Sequence, residues 1–305
     1  MTATRESRPP DDAGDAPALS VVVVSLGSAA SFRDVLHALA DQRGAPPLEV
    51  IVPVDERVRA TLDAGNVSLR GARIVAVPGR VSSWVLRAEG VRAARAPLVA
   101  TLEDCALPGA GWAARIVAAH AGSDAAVGGP VEKRLPDGAV GWAMYFFDYG
   151  RYVPPLGSAR VSYLSACNVS YKRAALERVR ETWRDAMHET DVHWALLGKG
   201  ETMLLDEQVV VQLRREVTLR AARDEVRAHG ELFGRGRRMS APARVLRVLT
   251  APILPFVLLA RSATPLLRAP GLIGPWFRAL PAAAVLAAAW AVGEVRGYLT
   301  RSQRP

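Results

Sequence analysis

The feature that most constrains this chain is an apolar run that stops dead at two acids. Pro97 to Leu102 ends at Glu103 and Asp104 within APLVATLEDCALPGAGW, residues 96–112, and a helical pattern follows. An apolar run of this length, bounded by turn residues, predicts a buried strand. Acids at the carboxyl end of such a strand stand where open α/β sheets bind ligands. Hard divalent cations take carboxylate oxygens, so the position suits a metal held against a phosphate. A solvated pair of acids is the plain alternative.

The same pattern recurs upstream. Leu19 to Val24, LSVVVV, is a continuous apolar run typical of a buried parallel strand. Phe32 to Gln42 carries helical spacing at Phe32, Val35, Leu36 and Leu39. Leu48 to Val54 is a second strand ending at Asp55, and Pro53 inside it suggests an edge or a bulge. Arg73 to Val77 reads as a strand and Trp84 to Ala94 as a helix. Strands alternating with helices predict a mostly parallel sheet with helices on its faces. Downstream, Ala125 to Val131, Ser162 to Tyr171 and Met203 to Leu213 read as strands. The aromatic segment WAMYFFDYGRYVPP suits either a ligand groove or core packing. His188, Glu189 and Asp191 fall in a polar loop before a helix, Val192 to Leu197.

A parallel sheet brings successive strand ends to one edge, so Ser25, Asp55, Arg87, Glu103 and Asp104 would face one crevice. Neither G-x-G-x-x-G after the first strand nor G-x-x-x-x-G-K-[ST] is present, which argues against classical dinucleotide binding and a P-loop. The two cysteines, Cys105 and Cys167, form no disulfide framework and no zinc pattern.

Four ordered segments resemble the family 2 glycosyltransferases, inverting enzymes of the GT-A fold, over roughly Leu19 to Leu213. They are LSVVVVSLGSAASFRDVLHALADQRGAPPLEVIVPVDE, WVLRAEGVRAARAPLVATLEDCALPGAGW, LSACNVSYKRAALERV and HETDVHWALLGKG. The resemblance implies an α/β GT-A fold, Rossmann-like, and a nucleotide-diphospho-sugar donor. Ser25, Asp55, Arg87, Glu103 and Asp104 would bind that donor, with Asp104 holding a divalent metal, Mg²⁺ or Mn²⁺. Asn168 and Trp194 would lie on the acceptor side. Glu189, or Asp191 one residue displaced, would be the general base. The chain departs from the family pattern at Val54, where an Asp is usual, at Cys105, where a further acid is usual, and at Thr190 in the Glu-Asp pair. A thiol is a poor Mg²⁺ ligand, so the metal expectation rests on Asp104. The absence of a Gln-x-x-Arg-Trp element implies addition of single sugars.

Charge separates the ends of the chain. Of a formal net charge of +9, residues 201–305 supply +8, from 16 Arg and no Lys against 8 acids. Such a block usually meets a membrane surface or nucleic acid. Within it, Val248 to Ala260 and Ala279 to Gly293 are apolar, and each alone is shorter than the ~20 residues that cross a bilayer. Arg and Trp at their edges favour interfacial or re-entrant association, with a helical cap on a soluble domain as the alternative. The first residues are polar and lack a signal-peptide core.

The organisation expected is a disordered lead over 1–17, a GT-A domain over 18–235 and a membrane-associated helical segment over 236–305. The function expected is transfer of one sugar to a lipid-linked or glycan acceptor at the cytoplasmic membrane face, in glycan or glycolipid assembly, without nucleic acid. The alternatives are a catalytically weakened nucleotide- or membrane-binding protein, or a nucleotidyltransferase.

Overall fold

The computed structural model describes residues 16–26, 28–134, 138–237 and 239–300. All but the last two residues of the expected N-terminal lead lie outside these. In chain order the elements are β1 (Leu19–Val24), α1 (Ala29–Ala40), β2 (Leu48–Val54), α2 (Glu56–Ala64), β3 (Arg73–Ala76), α3 (Ser83–Ala93) and β4 (Leu98–Glu103). β5 (Ala106–Pro108), α4 (Trp112–Ala119), β6 (Ala126–Gly128), β7 (Val131–Lys133), α5 (Ala139–Tyr149), β8 (Ala159–Arg160), β9 (Asn168–Lys172) and α6 (Arg173–Arg178) follow. The remainder is α7 (Glu189–Gly198), β10 (Met203–Leu205), β11 (Val211–Leu213), α8 (Leu219–Gly236), α9 (Ala241–Thr250), α10 (Leu254–Ser262) and α11 (Ile273–Leu299).

Eight strands form one sheet in the order β3-β2-β1-β4-β9-β6-β10-β8. β1 pairs in parallel with both β2 and β4, while β9 runs antiparallel between β4 and β6. The chain therefore steps outward from β1 to β3, then returns to lay β4 on the other side of β1. That reversal leaves a crevice at the carboxyl ends of β1 and β4. Every residue of β1 is buried, which explains its unbroken apolar sequence. The edges are blunt: β3 is short and largely exposed, and β8 has two residues.

A second, three-stranded sheet, β5-β11-β7, begins where the first ends. Asp104 and Cys105 are the two residues between β4 and β5. The Asp104 N–H donates to Val24 of the large sheet at 3.0 Å, and the Arg214 N–H, just past β11, donates to the Cys105 carbonyl at 2.7 Å. The acids that interrupt the apolar run are thus the joint between two sheets.

Several expected boundaries move, each for a local reason. Pro53 sits on an interior strand, not an edge. The β1 ladder ends at Val22 opposite Ile51, so the missing Pro53 N–H interrupts nothing there. The single strand expected over Ala125 to Val131 is split at Gly129 and Pro130. A Cβ on Gly129 would stand 2.1 Å from the Val209 carbonyl oxygen, and Pro130 has no N–H for a ladder. The strand expected over Met203 to Leu213 is interrupted by a turn in which the Val209 N–H donates to the Asp206 carbonyl. A turn from Ser165 to Asn168 likewise delays β9. The aromatic segment becomes α5, with Trp142, Tyr145, Phe146 and Tyr149 all buried, so most of its rings are core.

The two C-terminal apolar blocks, short as sequence, lie within longer helical stretches. Ala241–Leu267 has 27 residues and Pro270–Leu299 has 30, and their most apolar 18-residue windows have mean hydropathies of 1.7 and 1.5. Both are long and apolar enough to cross a membrane by length and composition. Pro281 lies inside α11 without ending it. The most apolar part of the first stretch buries nothing, with Leu246, Leu249, Phe256 and Val257 all exposed, and only its far end, at Ser262 and Pro265, is buried. By contrast, α11 packs against α5 and α8, and Trp290 meets Phe147 of the one and Phe233 of the other.

The α8–α11 crossing depends on four glycines spaced in two pairs. Added Cβ atoms on Gly230 and Gly234 would stand 2.5 and 2.4 Å from the carbonyl oxygens of Trp290 and Glu294. On Gly293 and Gly297 they would stand 2.0 and 2.2 Å from those of Arg227 and Glu231. Small residues at this spacing let helix backbones touch. Gly293→Leu should therefore destabilise the full chain by about 3 kcal/mol, the upper end of the usual overpacking cost. Gly274→Ala, in open space on the same helix, should leave thermal unfolding nearly unchanged.

Candidate active site

The crevice beyond β1 and β4 gathers most of the residues singled out by sequence. Asp104 is 1% exposed. Its Oδ2 accepts the Ser25 hydroxyl at 3.0 Å, the Leu26 N–H at 2.8 Å and the Ser28 N–H at 3.3 Å. Ser25, Leu26 and Ser28, which follow β1, thus all converge on this one carboxylate. Asp55 caps α2 by accepting the Val58 N–H at 2.7 Å, and its other oxygen accepts the Val81 N–H at 3.0 Å. It therefore ties the end of β2 to the segment entering α3.

Arg87 is the centre of the arrangement. It is 2% exposed, on α3, and its Nη2 donates to Glu103 Oε1 at 2.9 Å. Its Nη1 donates to the Met187 carbonyl at 3.4 Å and stands 3.9 Å from Glu189 Oε2. Its Nε is buried and meets no hydrogen-bond partner among the described residues. Arg87, Glu103 and Glu189 are thus brought together from α3, β4 and α7.

Glu189 is not in a loop. It opens α7, with Asp191 in the same first turn, where the positive end of the helix favours acids. Burial alone would raise the Glu189 pKa, but the charges of His188 and Arg87 outweigh it and hold it below the ordinary value. Glu103 shifts the other way, because burial exceeds the pull of Arg87 and Arg215. Asp191 is exposed. Trp194 is 39% exposed and its Nε1–H donates to the Tyr163 hydroxyl at 3.0 Å.

Asn168 has a different situation from the one expected. It is fully buried and accepts the Trp112 Nε1–H at 2.9 Å, while its amide donates to Val209 at 2.7 Å and Pro130 at 3.2 Å. It holds the split strands together, so any part in acceptor binding is indirect.

Among the described residues no cluster of three or more His, Cys, Asp or Glu is placed to hold a metal ion. Cys105 stays a neutral thiol, since burial and then Glu103 push its pKa well up. The remaining donor set, one hard carboxylate at Asp104, fits only a cation that brings most of its oxygen ligands with a diphosphate.

Sequence reading missed three residues here. Arg134 and Arg214 line a small hollow with Ser31, Asp34, Asp104 and Cys105. They follow the parallel strands β7 and β11, whose register pairs Lys133 with Leu213, so they emerge side by side. An Arg after each strand end was the available signal. The third is Asp148, the only charged residue of α5. Burial outweighs Arg215 and pushes its pKa up from 3.8 to about 7, aided by Glu225, Glu103 and Glu189. No motif marks it.

Not every buried acid belongs to the crevice. Glu49, at the opposite edge of the sheet, accepts from Ser20 at 2.7 Å and from the Arg95 side chain at 2.7 Å, and pairs with Arg73. That is a structural tie at the amino ends of β1, β2 and β4.

No family model matches the sequence. No curated protein matches it. Among solved structures, the mannosyltransferase PcManGT from Pyrobaculum calidifontis, in complex with GDP-Man and Mn²⁺, aligns with a TM-score of 0.55 at 16% identity. The match covers 90% of this chain and 86% of that one. At this identity the likeness is one of fold, and it supports the α/β glycosyltransferase fold expected above.

Asp148 gives the site a pH signature. A carboxyl whose folded pKa is raised stabilises the fold fully below its unfolded value and loses that contribution as pH rises through about 7. Asp148→Asn should melt with wild type at pH 4 and above it at pH 8, the gap opening between. Equal melting temperatures at both pH values would contradict the burial assigned to it.

Proposed function

We propose that this chain is a glycosyltransferase that moves a single sugar from a nucleotide-diphospho-sugar to an acceptor hydroxyl or lipid phosphate, with inversion, at a membrane surface. The observation that carries the reading is the convergence of a donor-side pair, Glu103 and Asp104, and an acceptor-side acid, Glu189, at the sheet reversal. Open α/β sheets bind nucleotides at such reversals.

In this reading Ser25, Asp55, Glu103 and Asp104 shape the donor pocket. Asp55 and Asp104 act partly by holding the loops that form it, and Glu103 Oε2, met among the described residues by the Cys105 thiol alone at 3.9 Å, accepts from a ribose hydroxyl. Arg134 and Arg214 supply positive charge beside Asp104 for the diphosphate. Asp104 would hold Mg²⁺ or Mn²⁺, which when bound offsets charge building on the departing diphosphate. Glu189 takes the acceptor proton as the acceptor oxygen attacks the anomeric carbon from the face opposite the nucleotide. Its lowered pKa keeps it ionised and ready. Asp191 lies in the same turn and is the alternative base. Trp194 offers an exposed apolar face to the acceptor.

The membrane part of the reading rests on the exposed apolar residues of Ala241–Leu267 and the Arg residues beside them. It places the catalytic crevice near a lipid-linked acceptor, on the cytoplasmic face.

A nucleotide-sugar panel with Mg²⁺ or Mn²⁺, including GDP-mannose, tests the activity. Glu189→Gln should lower kcat on the order of 10²–10⁴-fold with donor binding kept. Full activity of that variant moves the base to Asp191. Binding without turnover leaves the nucleotide-binding alternative, and neither binding nor turnover with any donor sinks the proposal. For the membrane, the full chain should co-sediment with phosphatidylglycerol vesicles, and the double variant Leu249→Asp, Phe256→Asp should not. A wild-type chain that stays in the supernatant removes the membrane from the reading.

A further inference from the structure

Arg87 joins two parts of the crevice that come from distant parts of the sequence. On one side is Glu103 at the end of β4, bonded at 2.9 Å. On the other is the entry to α7. The Met187 N–H donates to the Trp84 carbonyl at 2.9 Å, the Met187 carbonyl accepts from Arg87 Nη1 at 3.4 Å, and Glu189 stands 3.9 Å from the same nitrogen. Helix α3 therefore grips the α7 entry twice, once by backbone and once by a buried cation. That cation is not fully used. Nε has no partner among the described residues, and the Glu189 contact is beyond hydrogen-bond length. One guanidinium, sealed from water, serves two carboxylates.

We propose that Arg87 is a positioning residue shared by both sides of the crevice, orienting Glu103 and Glu189 together so that a change at either carboxylate is felt at the other. A buried charge must be compensated, so weakening one of its partners strengthens its claim on the second. Arg87 would touch no sugar. It would let occupancy of the donor side, read at Glu103, set the charge held at the acceptor-side acid. The inference deepens the glycosyltransferase reading and rests on it for the names of the two sides. The linkage itself rests on the contacts.

Other ionisable groups face Glu189 and enter the same balance. His188 and His193 lie on its own helix, Glu103 on β4, Asp148 on α5, and His229 on α8. Tyr171 of β9 and Tyr152 lie within the same field and are held neutral by burial. His188 adds the other large favourable charge, so its removal is a necessary control.

The test is a pH titration of Glu189 in the full chain without any substrate, by ¹³C NMR of glutamate side-chain carboxyls. The resonance missing from Glu189→Gln supplies the assignment. Arg87→Met should move the Glu189 midpoint up by about one to three pH units. Glu103→Gln keeps the shape of the site and should move it down, and by more than it does in an Arg87→Met background, where only the direct loss of the Glu103 charge is left. His188→Gln gives the share due to the neighbouring imidazole, and its shift should add to that of Arg87→Met. If Arg87→Met does not fold, Arg87→Gln takes its place in both comparisons. A Glu189 midpoint unmoved in the folded Arg87 variant, or moved no further by Glu103→Gln with Arg87 present than without it, overturns the proposal. These outcomes are independent of the donor panel: a failed panel removes the transferase reading and leaves the linkage, and a failed titration does the reverse.

Discussion

The organisation of this protein follows from one demand, that a guanidinium placed out of reach of water be compensated. Arg87 is 2% exposed, and removing a charge from water costs several kcal/mol unless partners repay it. Its compensation comes from Glu103 at a strand end and from the carbonyl and carboxylate that open α7. Meeting it fixes where α7 begins relative to β4. A sheet edge and a helix start, 86 residues apart between positions 103 and 189, are held together by one side chain. The apolar strands supply the burial that makes the demand severe.

Carboxylates do different work at the two edges of the same sheet. At the amino edge, Glu49 is surrounded by Ser20, Arg73 and Arg95 and closes the bottom of three strands. At the carboxyl edge, Asp104 and Asp55 also bind backbone, but the segments they hold are the loops that shape the crevice. Glu103 and Glu189 stand between the two cases, paired yet each with an oxygen less than fully committed. Burial alone does not separate a structural acid from one positioned for chemistry. Which edge it occupies, and what its partners support, does.

Much of the fold was legible because hydrophobic period is local. Leu19–Val24 and Leu48–Val54 are strands with the boundaries their apolar runs indicate. The reading failed where a distant contact decided the matter. Pro53 looked like an edge marker, yet it lies inside because the β1 ladder stops short of it. Glu189 looked like loop, yet it begins a helix because α3 anchors Met187. Asn168 carried a motif but is consumed by Trp112, Pro130 and Val209. Asp148 had no signal, since a single acid among aromatic residues gains meaning only from Glu103, Glu189 and Arg215 brought near it. The apolar C-terminal blocks were visible, but the length of their helices depended on flanking residues that carry little hydropathy.

The glycine crossing of α8 and α11 has a mechanical consequence. Helices separated by side chains can slip, because rotamers absorb small displacements. Here carbonyl oxygens stand where Cβ atoms would be, so no compliant layer lies between the two rods. Any tilt of α11 is transmitted to α8 almost without loss. α8 carries Glu225, whose charge acts on Asp148, and His229, whose pKa burial lowers and which stands beside His188 and Glu189. The C-terminal helix is therefore a rigid lever whose far arm ends among the ionisable groups of the crevice.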